Sequence, residues 1–130
     1  MTTRTVTQSM ESDAEPDTLL AILMDPKYLP QWAPAFADVV DAGEQDEWRV
    51  VKDGKAFSLQ VAVAQPARTV DYLRETAPGK KGGAYLRVLP RPNGGSVVVM
   101  TLPIPPGGNA EQVAAILDQE LTSLVRLRPS

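Results

Sequence analysis

The segment WRVVKDGKAFSLQVAV, residues 48–63, restricts the fold more than any other part of the chain. Asp53-Gly54 is a dipeptide that closes a two-residue antiparallel turn; with that turn Lys52 faces Lys55, Val50 faces Phe57 and Trp48 faces Leu59. Trp48, Val50, Phe57, Leu59, Val61 and Val63 then share one side, and Glu47, Arg49, Ser58 and Gln60 share the other. Turn chemistry and apolar alternation are independent patterns, and they choose the same register. A slip by one residue would exchange the two sides. This part of the chain is therefore an antiparallel hairpin with one apolar face, and Arg49 is expected in solvent.

Similar strand patterns recur at 36–42, 46–52, 55–64, 69–76, 83–90 and 96–104, separated by Gly, Pro, Asn and Asp clusters as a meander of hairpins requires. Ahead of them, RTVTQSMES (4–12) alternates Val6, Gln8 and Met10 against Thr5, Thr7 and Ser9, the period of a half-buried strand. Pro16 with Asp17 and LLAILM behind it opens a short helix. Asp25-Pro26 restarts the chain into a second helical turn carrying Tyr28, Leu29 and Trp32, which Pro30 and Pro34 keep short. The hairpin around RPNGG leaves its register open, because both strands are apolar on both faces. A three-residue loop at Asn93-Gly94-Gly95 groups Leu86, Val88, Val98, Met100 and Leu102 with Tyr85 and Arg87 outside; a two-residue loop pairs Arg87 with Met100. The first is preferred on apolar consistency.

After PPGGNA comes one long amphipathic helix, with Asn109 as its cap, Glu111 in its first turn and Arg126 and Arg128 near its end. At 100° per residue Val113, Ile116, Leu117, Leu121, Leu124 and Leu127 form one stripe, and Glu120 lies near its middle. An unpaired carboxylate in a solid core would cost several kcal/mol or be neutralised. Three readings follow for Glu120: it pairs with Arg74 or reaches past the helix edge into water, it orients a ligand in a cavity, or it transfers protons. Arg74 is the partner considered because Val70, Tyr72 and Arg74 share one face of TVDYLRET.

The chain has 130 residues, which is most simply one domain, residues 1–130, and no repeat or linker interrupts it. It contains neither cysteine nor histidine, so thiolate chemistry, disulfides and the usual zinc and haem ligands are excluded. A net charge of −3 with dispersed basic residues is no phosphate-backbone footprint, so no nucleic-acid partner is expected. MTTRTVTQSM lacks the apolar core of a signal peptide, and no run reaches membrane-spanning length; a cytoplasmic protein without a membrane span is expected. The acidic run DAGEQDE (41–47) lacks the spacing of a calcium loop, and GKKGG (79–83) has no following helix to hold a phosphate and reads as a hairpin tip. No metal and no cofactor are expected.

The order of elements is α+β: a strand, two short helices, six strands and a long helix (β-α-α-β6-α), about seven strands in all. Together with AEPDTLLAILMDPKYLPQWAP, in which Pro16, Asp25, Pro26, Pro30, Trp32 and Pro34 are the telling positions, this resembles the START-like, or SRPBCC, superfamily that includes the polyketide cyclases and the birch-pollen allergen. QPARTVDYL and the Gly-Gly turn before Ser96 add to the likeness, which spans nearly the whole chain. The resemblance implies a helix-grip fold, a curved antiparallel sheet wrapped around the C-terminal helix with a cavity between them. It further implies that the cavity binds a hydrophobic molecule such as a lipid, a polyketide or a quinone-like compound. The LPIPPGGN corner (102–109) would border the entrance and gate it.

On that frame the candidate ligand-binding residues are Trp48, Phe57, Leu59, Tyr72, Arg74, Val88, Met100, Leu117, Glu120 and Leu124, with the Tyr72 hydroxyl a donor to a ligand carbonyl or phenol. Trp32 and Trp48 read first as core and second as ligand contacts. The leading function is a small-molecule binding protein. The alternatives are a cyclase- or dehydratase-like enzyme leaning on Tyr72, Arg74 and Glu120, and a protein-interaction module or homodimer using an outer patch of Tyr85, Leu89, Val97 and Val99.

Overall fold

The computed structural model describes residues 4–129. Its elements are β1 (Thr5–Ser12), α1 (Pro16–Met24), a 3-10 turn (Pro26–Tyr28), α2 (Leu29–Trp32), β2 (Val39–Ala42), β3 (Trp48–Lys52), β4 (Lys55–Ala64), β5 (Thr69–Ala77), β6 (Lys80–Pro90), β7 (Ser96–Pro103) and α3 (Ala110–Arg126). The seven strands make one antiparallel sheet in the order β1-β7-β6-β5-β4-β3-β2, with the first strand returning to pair beside the last. This is the α+β helix-grip arrangement. No helix among the described residues is long and apolar enough to cross a membrane.

The β3–β4 hairpin has the expected register: Lys52 faces Lys55, Val50 faces Phe57 and Trp48 faces Leu59. Asp53 and Gly54 both sit at positive φ, 52° and 77°, the mirror-image turn whose twist suits adjoining strands. Lys52 Nζ bridges to Asp38 at 3.2 Å, and Asp38 also accepts from the Asp53 amide. These two contacts tie the turn to the start of β2.

The β6–β7 hairpin corrects one expectation. Leu86 pairs with Met100, Val88 with Val98 and Pro90 with Ser96, so residues 91–95 form the connection instead of the three-residue loop Asn93-Gly94-Gly95 expected. The displacement is by two positions, which preserves faces: Leu86, Val88, Val98 and Met100 are buried and Tyr85 and Arg87 lie outside. The cause is Arg91. Its amide and carbonyl close the loop on Gly95 and Gly94, both at positive φ, while its guanidinium reaches Asp13 at 2.9 Å and Glu11 at 3.5 Å at the end of β1. The hairpin tip expected at 79–83 is also shorter, since Lys80 to Gly83 belong to β6.

α1 begins at Pro16 without a side-chain cap, because Glu15 instead accepts from the Gly95 amide across the fold. Leu19, Leu20, Ile22 and Leu23 are buried, each contributing roughly 1.5–3 kcal/mol relative to exposure. The chain leaves α1 at Asp25, whose side chain accepts from the Lys27 amide. Phe36 and Ala37 continue turning after α2, with amides bonded to the Ala33 carbonyl, and β2 therefore starts at Val39 and not at Phe36. α3 is capped by Asn109, which accepts from the Gln112 amide, and it packs against β1, α2 and β7. On the outer face Tyr85 is 43% exposed, while Leu89, Val97 and Val99 are half-buried.

Candidate functional site

Along the inner face of β6 the side chains shrink from Val88 and Leu86 to Ala84 and Gly82 as the strand is followed back to its start. Ala84 faces Tyr72 and Gly82 faces Arg74 on β5. Where those side chains are missing the sheet does not reach α3, and a hollow of about 430 Å³ remains. Its sheet wall is Tyr72, Gly83, Ala84, Met100 and Leu102. Leu29, Trp32, Ala33 and Phe36 close it from α2 and the turn beyond, and Val113, Ile116 and Glu120 come from α3. The exposed members Ala35, Arg74, Thr76, Pro103, Pro105 and Ile116 form the rim. A volume of this size is at the small end of ligand pockets, and its walls are mainly apolar.

The stripe on α3 divides lengthwise. Leu117, Leu121 and Leu124 lie on its core-facing edge and are fully buried. Val113, Ile116 and Glu120 lie on the other edge and line the hollow. Ile116 is 40% exposed, because it stands at the rim.

Glu120 is 6% exposed. Among the described residues it has no hydrogen bond and no ion pair. The contrast with the other buried polar residues is direct: Ser96 donates to the Ala14 carbonyl, and Ser12 accepts from the Ala14 amide. Burial raises the Glu120 pKa from 4.5 to about 7, so near neutral pH the carboxyl is divided between its two forms. The pairing with Arg74, one of the readings open from the sequence, is absent. The Arg74 guanidinium instead lies over the Phe57 ring, 3.8 Å from its centroid, and Phe57 meets Phe36 edge-on at 5.4 Å.

Tyr72 is committed elsewhere too. Its ring lines the hollow, 6.0 Å from that of Trp32, but its hydroxyl donates to the Leu23 carbonyl. That carbonyl is in the last turn of α1, where no helical amide can reach it, so a strand residue completes the helix end. Burial pushes the phenol far above its ordinary value of 10.0. The hydroxyl is thus a structural donor and not a free one for a ligand. Tyr72→Phe should destabilise the fold by about 1–3 kcal/mol, the cost of stranding a buried carbonyl, while moving the affinity of a ligand in the hollow less than twofold. Urea unfolding and ligand titration of the same variant check both halves; a large affinity loss with unchanged stability would reverse the assignment.

Of the ten residues singled out from sequence, Tyr72, Arg74, Met100 and Glu120 border the hollow. Leu59, Val88, Leu117 and Leu124 are buried in the core outside its wall, and Trp48 is half-buried against that core. Phe57 borders a second hollow of about 140 Å³ with Glu47, Gln60 and Lys81. The residues passed over were the small ones, Ala33, Gly82, Gly83 and Ala84, together with Leu29, Phe36, Leu102, Val113 and Ile116. For Gly82 and Ala84 the signal was present in the inward positions of β6, whose side chains dwindle opposite Tyr72 and Arg74. Trp32 Nε1 is the one fully enclosed side-chain nitrogen or oxygen among the described residues that lacks a partner; the unpaired Glu120 oxygens differ in keeping some accessible surface. No group of three or more His, Cys, Asp or Glu residues among them is placed to hold a metal ion.

The family model described as polyketide cyclase / dehydrase and lipid transport matches residues 3–127. Among solved structures, the protein XoxI from Bacillus cereus is similar at 18% identity and a TM-score of 0.72, over 95% of this chain and 94% of its own. A START superfamily protein from Mycobacterium smegmatis is similar at 17% identity and a TM-score of 0.63, over 95% of this chain and 93% of its own. The Zhui aromatase/cyclase from Streptomyces sp. R1128 gives 17% identity and a TM-score of 0.64, over 94% of this chain and 91% of its own. At such identities the likeness is one of fold. Among curated proteins nothing matches the chain.

Proposed function

The chain belongs to the polyketide cyclase / dehydrase and lipid transport family, within the START-like superfamily, and from that premise we propose that it is a small-molecule binding protein holding an apolar or aromatic ligand between sheet and C-terminal helix. The observation that carries this is the hollow itself: about 430 Å³, walled by aromatic and aliphatic side chains, with one carboxyl on its inner wall. A small apolar molecule there would gain the burial that the wall otherwise lacks, roughly 25 cal/mol for each Å² of apolar surface removed from water. Arg74 at the rim would meet any polar end that protrudes.

The test fills the hollow from its wall. N-phenyl-1-naphthylamine, a neutral dye that brightens in apolar surroundings, should bind with one-to-one stoichiometry. Ala84→Leu should keep the thermal transition within a few degrees and weaken the dye at least about tenfold, since the new side chain occupies the ligand's space. Equal affinity in both proteins would remove the hollow as the binding site. Mass spectrometry of molecules retained through purification would then name the natural occupant.

A cyclase- or dehydratase-like activity in the same hollow is favoured by one observation, the Glu120 pKa of about 7, which suits a group exchanging protons near neutral pH. That reading rests on Glu120 alone, since the Tyr72 hydroxyl is already bonded to Leu23. Turnover of a defined polyketide substrate that survives Glu120→Gln unchanged would reject it.

A further inference from the structure

Three aromatic rings and one isolated carboxyl share the hollow. Trp32, Tyr72 and Phe36 line it, and among the described residues Glu120 is the only acidic one in the wall. An aromatic face carries partial negative charge and attracts organic cations, more strongly where water is excluded. A carboxylate with no partner does the same, and a cation there would recover the Coulomb energy that burial otherwise wastes. Resting on the reading of the hollow as a ligand site, we propose that its occupant is a lipophilic amine, with its ammonium group seated against Glu120 among these rings and its apolar body filling the rest.

Among the described residues no protein cation is paired with Glu120. Arg74, the other charged residue in the wall, stands at the rim with its guanidinium over Phe57 and makes no ion pair with Glu120. β5 otherwise presents Tyr72, whose hydroxyl is taken by Leu23. The wall-lining parts of α2, β6 and β7 carry no ionisable side chain. On α3 itself Glu111, Asp118 and Arg126 are exposed, and the β1 side chains hydrogen-bonded to the helix are Gln8 and Met10, both uncharged. An anionic head group would be repelled from the same place. A neutral alcohol would find a hydrogen bond there but no charge to pair with. Burial sets the carboxyl near pH 7 when the hollow is unliganded, so an ammonium would stabilise its ionised form and displace a proton at slightly acidic pH.

The experiment compares two molecules of one shape, 2-naphthylmethylamine and 2-naphthylmethanol, by titration calorimetry on the full chain. At pH 8 the amine should bind at least about tenfold more tightly, as one close charge pair in an apolar site warrants. The ratio should fall toward one at pH 5 and in Glu120→Gln. At about pH 6.5 the heat of amine binding should vary with the ionisation enthalpy of the buffer, reporting the released proton, while that of the alcohol should not. Equal binding of both at pH 8 would overturn the amine and leave the hollow as a ligand site. Binding of neither would overturn both. An amine preference that persists unchanged in Glu120→Gln would place the cation elsewhere and also overturn the proposal. A thermal transition recorded for the variant confirms that it is folded before its affinities are compared.

Discussion

Between about pH 4.5 and pH 8 the protein is expected to lose about 3 kcal/mol of folding stability that its Glu120→Gln variant keeps. In the unfolded chain Glu120 ionises near its ordinary 4.5; in the folded protein burial holds it to about 7. Below the lower value both states are protonated and the carboxyl contributes in full. Between the two the unfolded chain has released its proton and the native protein has not, so the native state binds more protons and stability falls as pH rises. Above about 7 both are ionised and the loss is complete. Each tenfold difference in proton affinity is worth about 1.4 kcal/mol, which sets the size of the effect. Asp38 works in the opposite sense, since hydrogen bonds from the Asp53 amide and Lys52 hold its pKa below 3.8. Its contribution is lost only as the pH falls through that lower range, outside the window of Glu120. Urea unfolding of both proteins across the pH range gives the difference directly. Parallel curves would mean that the carboxyl is solvated, and the hollow would lose its polar group.

Gly83→Ala should be the most damaging conservative change in the wall, costing about 3 kcal/mol or preventing accumulation of folded protein, whereas Gly82→Ala should fall within about 0.5 kcal/mol of the parent. A methyl group at Gly83 would lie 1.7 Å from the Tyr72 carbonyl oxygen, with the Leu73 Cα at 3.2 Å. Those are backbone atoms of the paired strand, so relief requires β5 and β6 to part. At Gly82 the nearest neighbour is the Thr76 methyl at 3.4 Å, an ordinary contact. Two adjacent glycines thus differ in kind: one permits a close approach of strands, the other leaves space. Thermal unfolding of the pair decides it, and similar midpoints would show that the strands are not held so close at Gly83.

The two changes bear on one feature. That feature is the hollow, and Tyr72 in its wall is tied to two neighbours: its carbonyl is the atom that Gly83 spares, and its hydroxyl completes the last turn of α1. Loss of Gly83 would therefore disturb the hollow and the packing of α1 on the sheet together. Glu120 sits on the opposite wall, on the edge of α3 that faces the space. Its unusual proton affinity is a property of that space as much as of the residue.

The periodic patterns along the chain determined a great deal. The Asp53-Gly54 register, the Pro16 helix start, the Asn109 cap and the burial of Val113, Leu117, Leu121 and Leu124 were all legible, because each depends on a few neighbouring residues and a fixed repeat. The odd position of Glu120 in its stripe was legible for the same reason. Tertiary structure alone decided what surrounds these residues. Sequence parity named the inner faces of β6 and β7 but not their alignment, which Arg91 settles by bonding to Asp13, 78 residues away. It could place Tyr72 and Arg74 inward without revealing that one hydroxyl ends on the Leu23 carbonyl and that one guanidinium rests on Phe57. Periodicity reports which way a side chain points from its own strand or helix. The size of a cavity is set by what is missing from the facing element, and a hydrogen-bond partner by where a distant segment comes to lie.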